Sequence, residues 1–115
     1  MDTDCLFCRI VAGEIPATIV YQTDNVMAFR DVNPQAPKHA LVIPKRHHAN
    51  VADMTAADPV LAAAVLAGAD ETARVEGIHD SGYRLVFNTG PDAGQTVFHV
   101  HCHVLGGRAM TWPPG

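Results

Sequence analysis

The segment Phe98-His99-Val100-His101-Cys102-His103-Val104-Leu105 carries an imidazole at every second position. On an extended strand successive side chains alternate between faces, so His99, His101 and His103 share one face while Val100, Cys102 and Val104 share the other. Three of the chain's seven histidines therefore form one reactive surface, backed by an apolar one. Two chemistries are open to it. Neutral imidazoles are zinc ligands, and three of them leave a coordination position for water. Alternatively, one imidazole attacks phosphorus, and water resolves the resulting nucleotidyl-imidazolium. A strand spans about 13 Å over five such residues at roughly 3.3 Å per residue, long for one tetrahedral ion, so the spacing favours separate roles for the three rings.

A second reactive group opens the chain. Cys5-Leu6-Phe7-Cys8 sets two thiols three residues apart, and Cys102 makes the total three, an odd number that is a poor framework for structural disulfides. A redox pair of the thioredoxin kind needs a preceding strand, and none precedes Cys5; a buried reduced pair is the plain alternative. Metal binding suits the spacing best.

These groups must be positioned by the elements around them. Apolar residues at Leu6, Phe7, Ile10 and Val11 have helical spacing, which predicts a short helix over residues 5–12 closed by Gly13. Residues 18–21 and 26–30 read as strands joined by the turn Thr23-Asp24-Asn25. The segment from Asp31 to Pro37 contains two prolines and reads as irregular, and residues 39–43 form an apolar strand that stops at Pro44. Thr55 is a suitable N-cap and the alanine-rich run 60–75 is the main helix, ended by Gly77. Residues 83–88 and 97–105 predict two further strands. Together these elements make an α+β domain, with two helices on a mainly antiparallel sheet.

The length of 115 residues allows one domain, residues 1–115, and little room for a second core. The net charge of −4 is scattered rather than clustered, which argues against a nucleic-acid surface. No apolar run approaches the roughly 20 residues of a membrane helix, and Met1-Asp2-Thr3-Asp4 is acidic where a secretory leader is basic. The expectation is a cytoplasmic protein without nucleic-acid or membrane partners.

Beyond the histidine motif, Ala28-Phe29-Arg30-Asp31-Val32-Asn33-Pro34-Gln35-Ala36-Pro37, Leu41-Val42-Ile43-Pro44-Lys45-Arg46-His47, Tyr83-Arg84-Leu85-Val86-Phe87-Asn88, Gly94-Gln95-Thr96-Val97 and the ending Trp112-Pro113-Pro114-Gly115 are present. In these the chain resembles the histidine triad (HIT) superfamily, specifically its nucleotide-binding protein branch. The resemblance implies a five-stranded sheet that joins a second copy into a ten-stranded one, and a homodimer that hydrolyses purine nucleoside phosphoramidates. In that reading His101 is the nucleophile, and His103 helps hold phosphate and leaving group. Asn88 and Thr96 contact the same groups, with the backbone around Gly94 and Gln95. Asp31 accepts from the ribose hydroxyls, and Leu6, Phe7, Ile10, Phe29 and Val32 sandwich the base. Metal-containing relatives in the wider superfamily imply one structural zinc on Cys5, Cys8, His47 and His99, with His48 the rival to His47. Two positions depart from the pattern: Thr96 stands where relatives often have serine, and Cys102 where they have an aliphatic residue. Dinucleoside polyphosphate hydrolysis, nucleotidyl transfer, metal-dependent hydrolysis and a plain nucleotide-binding module are the competing readings.

Overall fold

A computed structural model describes residues 4–115; Met1, Asp2 and Thr3, three of the four residues of the acidic N-terminus, lie outside the described residues. The elements run α1 (Leu6–Val11), β1 (Ile19–Gln22), β2 (Val26–Arg30), β3 (Lys38–Pro44), α2 (Val51–Ala57), α3 (Pro59–Val75), β4 (Tyr83–Val86) and β5 (Cys102–Gly106). The five strands form one antiparallel sheet in the order β1-β2-β3-β5-β4, so the fold is α+β.

Residue parity organises the two faces of this sheet. In β2, β3 and β5 the even-numbered Val26, Ala28, Val42, Cys102 and Val104 pack with Val65, Ala69 and Ala73 of α3. The odd-numbered Met27, Phe29, Leu41 and Ile43 pack instead with Phe7 and Ile10 of α1. Period-2 alternation thus gives each face its own core, and each buried Val, Leu or Ile adds about 1.5–3 kcal/mol relative to exposure. The long helix sits close: a Cβ on Gly68 would lie 2.9 Å from Val26 Cγ1, so only glycine lets α3 approach β2 this far. At the C-cap of α3, Glu76 is buried and accepts from Arg30 Nε and Nη2 at 3.0 and 3.1 Å, fastening the end of β2.

Three boundaries correct the sequence expectations. A third helix, α2, precedes the main one. Its cap is Asn50, whose side chain accepts from Asp53 N–H, so Thr55 lies inside a helix rather than before one. Asp58 caps α3 by accepting from Leu61 N–H, and Pro59 takes the first helical position, where no amide hydrogen is needed. The last strand is shorter than the expected 97–105: its ladder with β3 begins at Val42↔Cys102. Proline at position 44 cannot donate to a continuing ladder, and Val100 N–H turns aside to the His48 carbonyl at 2.7 Å. The strand expected over 83–88 likewise stops at Val86.

Candidate active site and metal centre

The odd parity of the sheet continues past the paired part of β5, so His99, His101 and His103 all turn toward α1, but each meets a different environment. His103 lies on β5 opposite Leu41 of β3, and His39 stands two residues along β3 on the same face, a diagonal neighbour. The two rings approach to 2.9 Å between His39 Nε2 and His103 Nδ1. The Gln35 backbone N–H donates to His39 Nδ1 at 3.0 Å, which leaves the His39 proton on Nε2, facing His103. His103 Nδ1 is then an acceptor, and its own proton sits on Nε2. Burial, the largest cause, pushes His103 down to about 4, with the His101 and His39 charges acting in the same sense. Burial also lowers His39, opposed by Asp31, whose carboxylate lies 3.5 Å from its Nε2. Both rings are neutral near pH 7.

His101 is oriented by its own chain. Its Nδ1–H donates to the His99 carbonyl at 2.8 Å, leaving the Nε2 lone pair unshared. Phe7 packs edge-on against the ring, centroids 5.2 Å apart at 88°, and the His103 ring lies 5.0 Å away. His101 and His103 form one side of a cavity of about 730 Å³, a size suited to a small ligand. Leu6, Phe7, Ile10, Phe29, Asp31, Val32 and Thr96 also line it, so most of the residues drawn from the resemblance meet in one place. Arg30 reaches the lining too, but its guanidinium is held by Glu76. Asn88, two residues past β4, Gly94 and Gln95 are not among the lining residues. The Gln95 amide instead braces its loop, donating to the Ala49 and Val97 carbonyls and accepting from Gly90 N–H.

His39 was absent from the residues singled out by sequence. The available signal was one histidine at an inward, odd position of an otherwise apolar strand, and only the register with β5 aims it at His103.

The third triad histidine serves another centre. His99 is fully buried and its Nε2–H donates to the Pro44 carbonyl at 2.8 Å, so Nδ1 carries a free lone pair. That nitrogen lies 3.3 Å from Cys5 Sγ, 3.5 Å from Cys8 Sγ and 3.2 Å from His47 Nδ1, and Cys8 Sγ is 3.5 Å from His47 Nδ1. All four atoms fall within 4.8 Å of one another. Ligand atoms around a tetrahedral zinc stand about 3.3–3.8 Å apart, given bonds of about 2.0–2.3 Å, so this Cys2His2 set fits a zinc ion. Burial drives His99 down to about 4, which keeps it in the neutral, ligating form. His47 is the ring that joins the set; His48 stays outside, giving only its carbonyl to Val100.

Asp31, His39 and His103 also bring three possible ligand atoms together. They suit a metal poorly, because His39 accepts a backbone hydrogen at Nδ1 and so must keep its proton on the nitrogen that would ligate.

The HIT domain family matches residues 12–110, histidine motif included. The chain belongs to the HIT domain family. An uncharacterized HIT-like protein of Synechococcus elongatus is 51% identical over 115 residues, all of both chains. A 14 kDa zinc-binding protein of Zea mays is 45% identical over 116 residues, which cover 99% of this chain and 90% of that one. Among solved structures, a HIT family hydrolase from Legionella pneumophila superposes with a TM-score of 0.92 at 54% identity, covering 97% of this chain and 100% of that one.

Proposed function

We propose that this HIT protein is a hydrolase of purine nucleoside phosphoramidates, acting through a covalent nucleotidyl intermediate on His101. The observation that carries the reading is the His101 ring itself. Its Nδ1–H is spent on the His99 carbonyl, and its Nε2 lone pair is left beside an apolar cavity.

In this mechanism the base lies between Leu6, Phe7, Ile10, Phe29 and Val32, and Asp31 accepts from the ribose diol. His101 Nε2 attacks phosphorus, the P–N bond breaks, and the departing amine takes up one proton from solvent. Water then attacks the adduct, the P–Nε2 bond breaks, and that water gives up one proton, so protons balance over the cycle. His103 donates its Nε2–H to a phosphoryl oxygen, a role for which the neutral tautomer set by His39 is needed. Thr96 adds a hydroxyl from the cavity wall; the roles of Asn88, Gly94 and Gln95 at the leaving group rest on the resemblance, since all three lie outside the lining and the Gly94 and Gln95 N–H groups donate to the Pro91 and Gly90 carbonyls. The hydrolase name of the similar Legionella structure supports the class, and the phosphoramidate follows from the resemblance.

Zinc on Cys5, Cys8, His47 and His99 is structural in this reading, and the name of the maize relative, a zinc-binding protein, supports the metal. A shell closed by four protein ligands has no position for a reacting water. A homodimer is part of the same proposal: β4 ends the sheet on an unpaired edge that a second copy extends to ten strands. A cytoplasmic location is part of this reading, and in that reducing compartment Cys5, Cys8 and Cys102 stay out of disulfides. Among the described residues no helix is long and apolar enough to cross a membrane.

The test is turnover of an adenosine phosphoramidate at saturating substrate, with and without a chelator, followed by mass spectrometry of protein quenched without acid. Turnover that survives the chelator, with an adduct on His101, supports the proposal. A folded protein that loses all turnover with its metal favours a metallohydrolase, and one that binds AMP without cleaving anything is a binding module. Light scattering that gives a monomer at micromolar concentration removes the dimer.

A further inference from the structure

We infer that Cys5, Cys8 and His47 are positioning residues for the nucleotide cavity, so that metal occupancy sets how tightly a purine nucleotide is held, and the nucleotide sets how tightly the metal is held. The inference rests on the nucleotide and zinc readings above and adds a coupling between them.

The first ground is the interleaving of two functions on one short helix. Within six positions the chain alternates ligands Cys5 and Cys8 with cavity residues Leu6, Phe7 and Ile10. Cys5 is also the N-cap of α1, its sulfur accepting from Cys8 N–H at 3.3 Å. A helix of six residues is far too short to persist by itself, since isolated helices below about 12–15 residues are marginal. Its place depends on Phe7, Cys8 and Ile10 being buried and on what its two sulfurs hold.

The second ground is the path from the ligands to the nucleophile. His99 offers its ring to the metal and its carbonyl to His101 Nδ1–H, so one residue serves both centres. Phe7 spans the same gap through its side chain, with ring centroids 5.9 Å from His99 and 5.2 Å from His101. A shift of either ligand element therefore moves the cavity wall or the attacking ring.

The third ground is which element yields when the cation is absent. Two sulfurs and two nitrogens converge within 4.8 Å, and a cation held among them would tie α1 to the sheet through both thiolates. His99 is tied to Pro44 by its Nε2–H, and His47 follows the end of a central strand, so both are anchored to the sheet. The element free to retreat is α1, and it takes Leu6, Phe7 and Ile10 with it. Metal and nucleotide thereby favour the same seated position of α1, and linkage requires each to tighten the other by the same factor.

The experiment uses the whole protein with zinc, or with cobalt(II) in its place, and AMP as the nucleotide. Calorimetry on zinc-loaded and chelator-stripped protein should show AMP binding about tenfold more weakly after stripping. Competition with a chromogenic chelator should show zinc held more tightly by the same factor when AMP is saturating. In the cobalt protein, AMP should shift the visible ligand-field bands, a reading that does not depend on the stripped form staying folded. Equal AMP affinity with and without metal, or cobalt bands and chelator competition indifferent to AMP, overturns the coupling while leaving both sites standing. A protein that holds zinc but no AMP, or AMP but no zinc, overturns it together with the one reading that failed.

Discussion

Two groups of imidazoles sit side by side in this chain, and the backbone treats them in opposite ways. In the buried quartet a backbone carbonyl, that of Pro44, takes the His99 proton, and the remaining lone pairs and sulfurs converge on one point. Behind the cavity wall a backbone amide, that of Gln35, fills the His39 lone pair, and the remaining N–H donates to His103. Carbonyl behind the ring makes a ligand; N–H behind the ring makes a donor. His101 combines the two, with its proton on the His99 carbonyl but no partner ligands at its Nε2, and so has a lone pair free for a substrate. A nitrogen-to-nitrogen approach near 3 Å is common to both groups, so the difference in chemistry comes from the backbone partner rather than from proximity.

The largest effect should come from removing His101, the triad ring that belongs to neither group. His101→Gly is expected to lower kcat by at least about four orders of magnitude, because it deletes an interaction made along the reaction path, while AMP binding stays measurable. Mass spectrometry should find the adduct on the parent and none on the variant. Substantial turnover by the variant without added imidazole would remove the covalent mechanism.

Cutting the donor line is the next step down. His39→Phe keeps the ring volume but removes the hydrogen that fixes the His103 tautomer, and kcat should fall about ten- to a hundredfold with little change in KM. The measurement is steady-state kinetics on a variant whose zinc content and melting temperature match the parent. A KM effect with kcat preserved would make His39 a packing residue of the cavity.

The quartet should answer differently. Cys8→Ser is expected to lose about one zinc per chain, lower Tm by several degrees, and raise KM about tenfold while kcat changes less than about threefold. Elemental analysis, thermal melts and kinetics check the three parts. If Cys8→Ser and His39→Phe gave the same kcat loss, the two clusters would be one catalytic unit and the comparison would fail.

What the sequence made legible follows from the same contrast. Parity was readable: alternation placed His99, His101 and His103 on one face, and in the sheet that face is the odd-numbered one shared with Phe29 and Leu41. The metal pair Cys5 and Cys8 was readable from spacing, but the two histidines that close the set come from segments 39 and 91 residues away from Cys8, and only the resemblance named them. The helix α2 was hidden because Thr55 has the chemistry of a cap, whereas Asn50 and Asp58 do the capping and Pro59 divides the helices. The end of the last strand was hidden because its limit is set by a neighbour, Pro44, that alternation in residues 97–105 cannot report. His39 was hidden for the most general reason: its role is a tautomer, decided by an amide four residues earlier in the chain and a strand 64 residues later.

The smallest expected effect is the pH dependence of stability, and it separates the two groups by what is released. Burial holds His103 at about 4 in the folded chain, against about 6.5 in the unfolded one. Between those values the unfolded chain binds more protons, so stability rises with pH through that window and falls as pH drops from 6.5 toward 4. His103 is only part-buried, so solvent screening reduces its contribution to roughly 1 kcal/mol between pH 7 and pH 5, a few degrees in Tm for a domain of this size. His99 shifts in the same direction for the same first cause, but in the metal-loaded protein its protonation has to displace a ligand bond. Acid should therefore produce two signals: a gradual decline in Tm that is shallower in His103→Asn, the remainder coming from the other buried histidines such as His39, and a zinc release that the substitution leaves unchanged. Melts and chelator-detected zinc, recorded together from pH 7 to 5 on parent and variant, measure both. A His103→Asn protein with the parent's pH slope would mean that its neutral tautomer is no part of the folded state's preference, and the donor line from His39 would lose its physical basis.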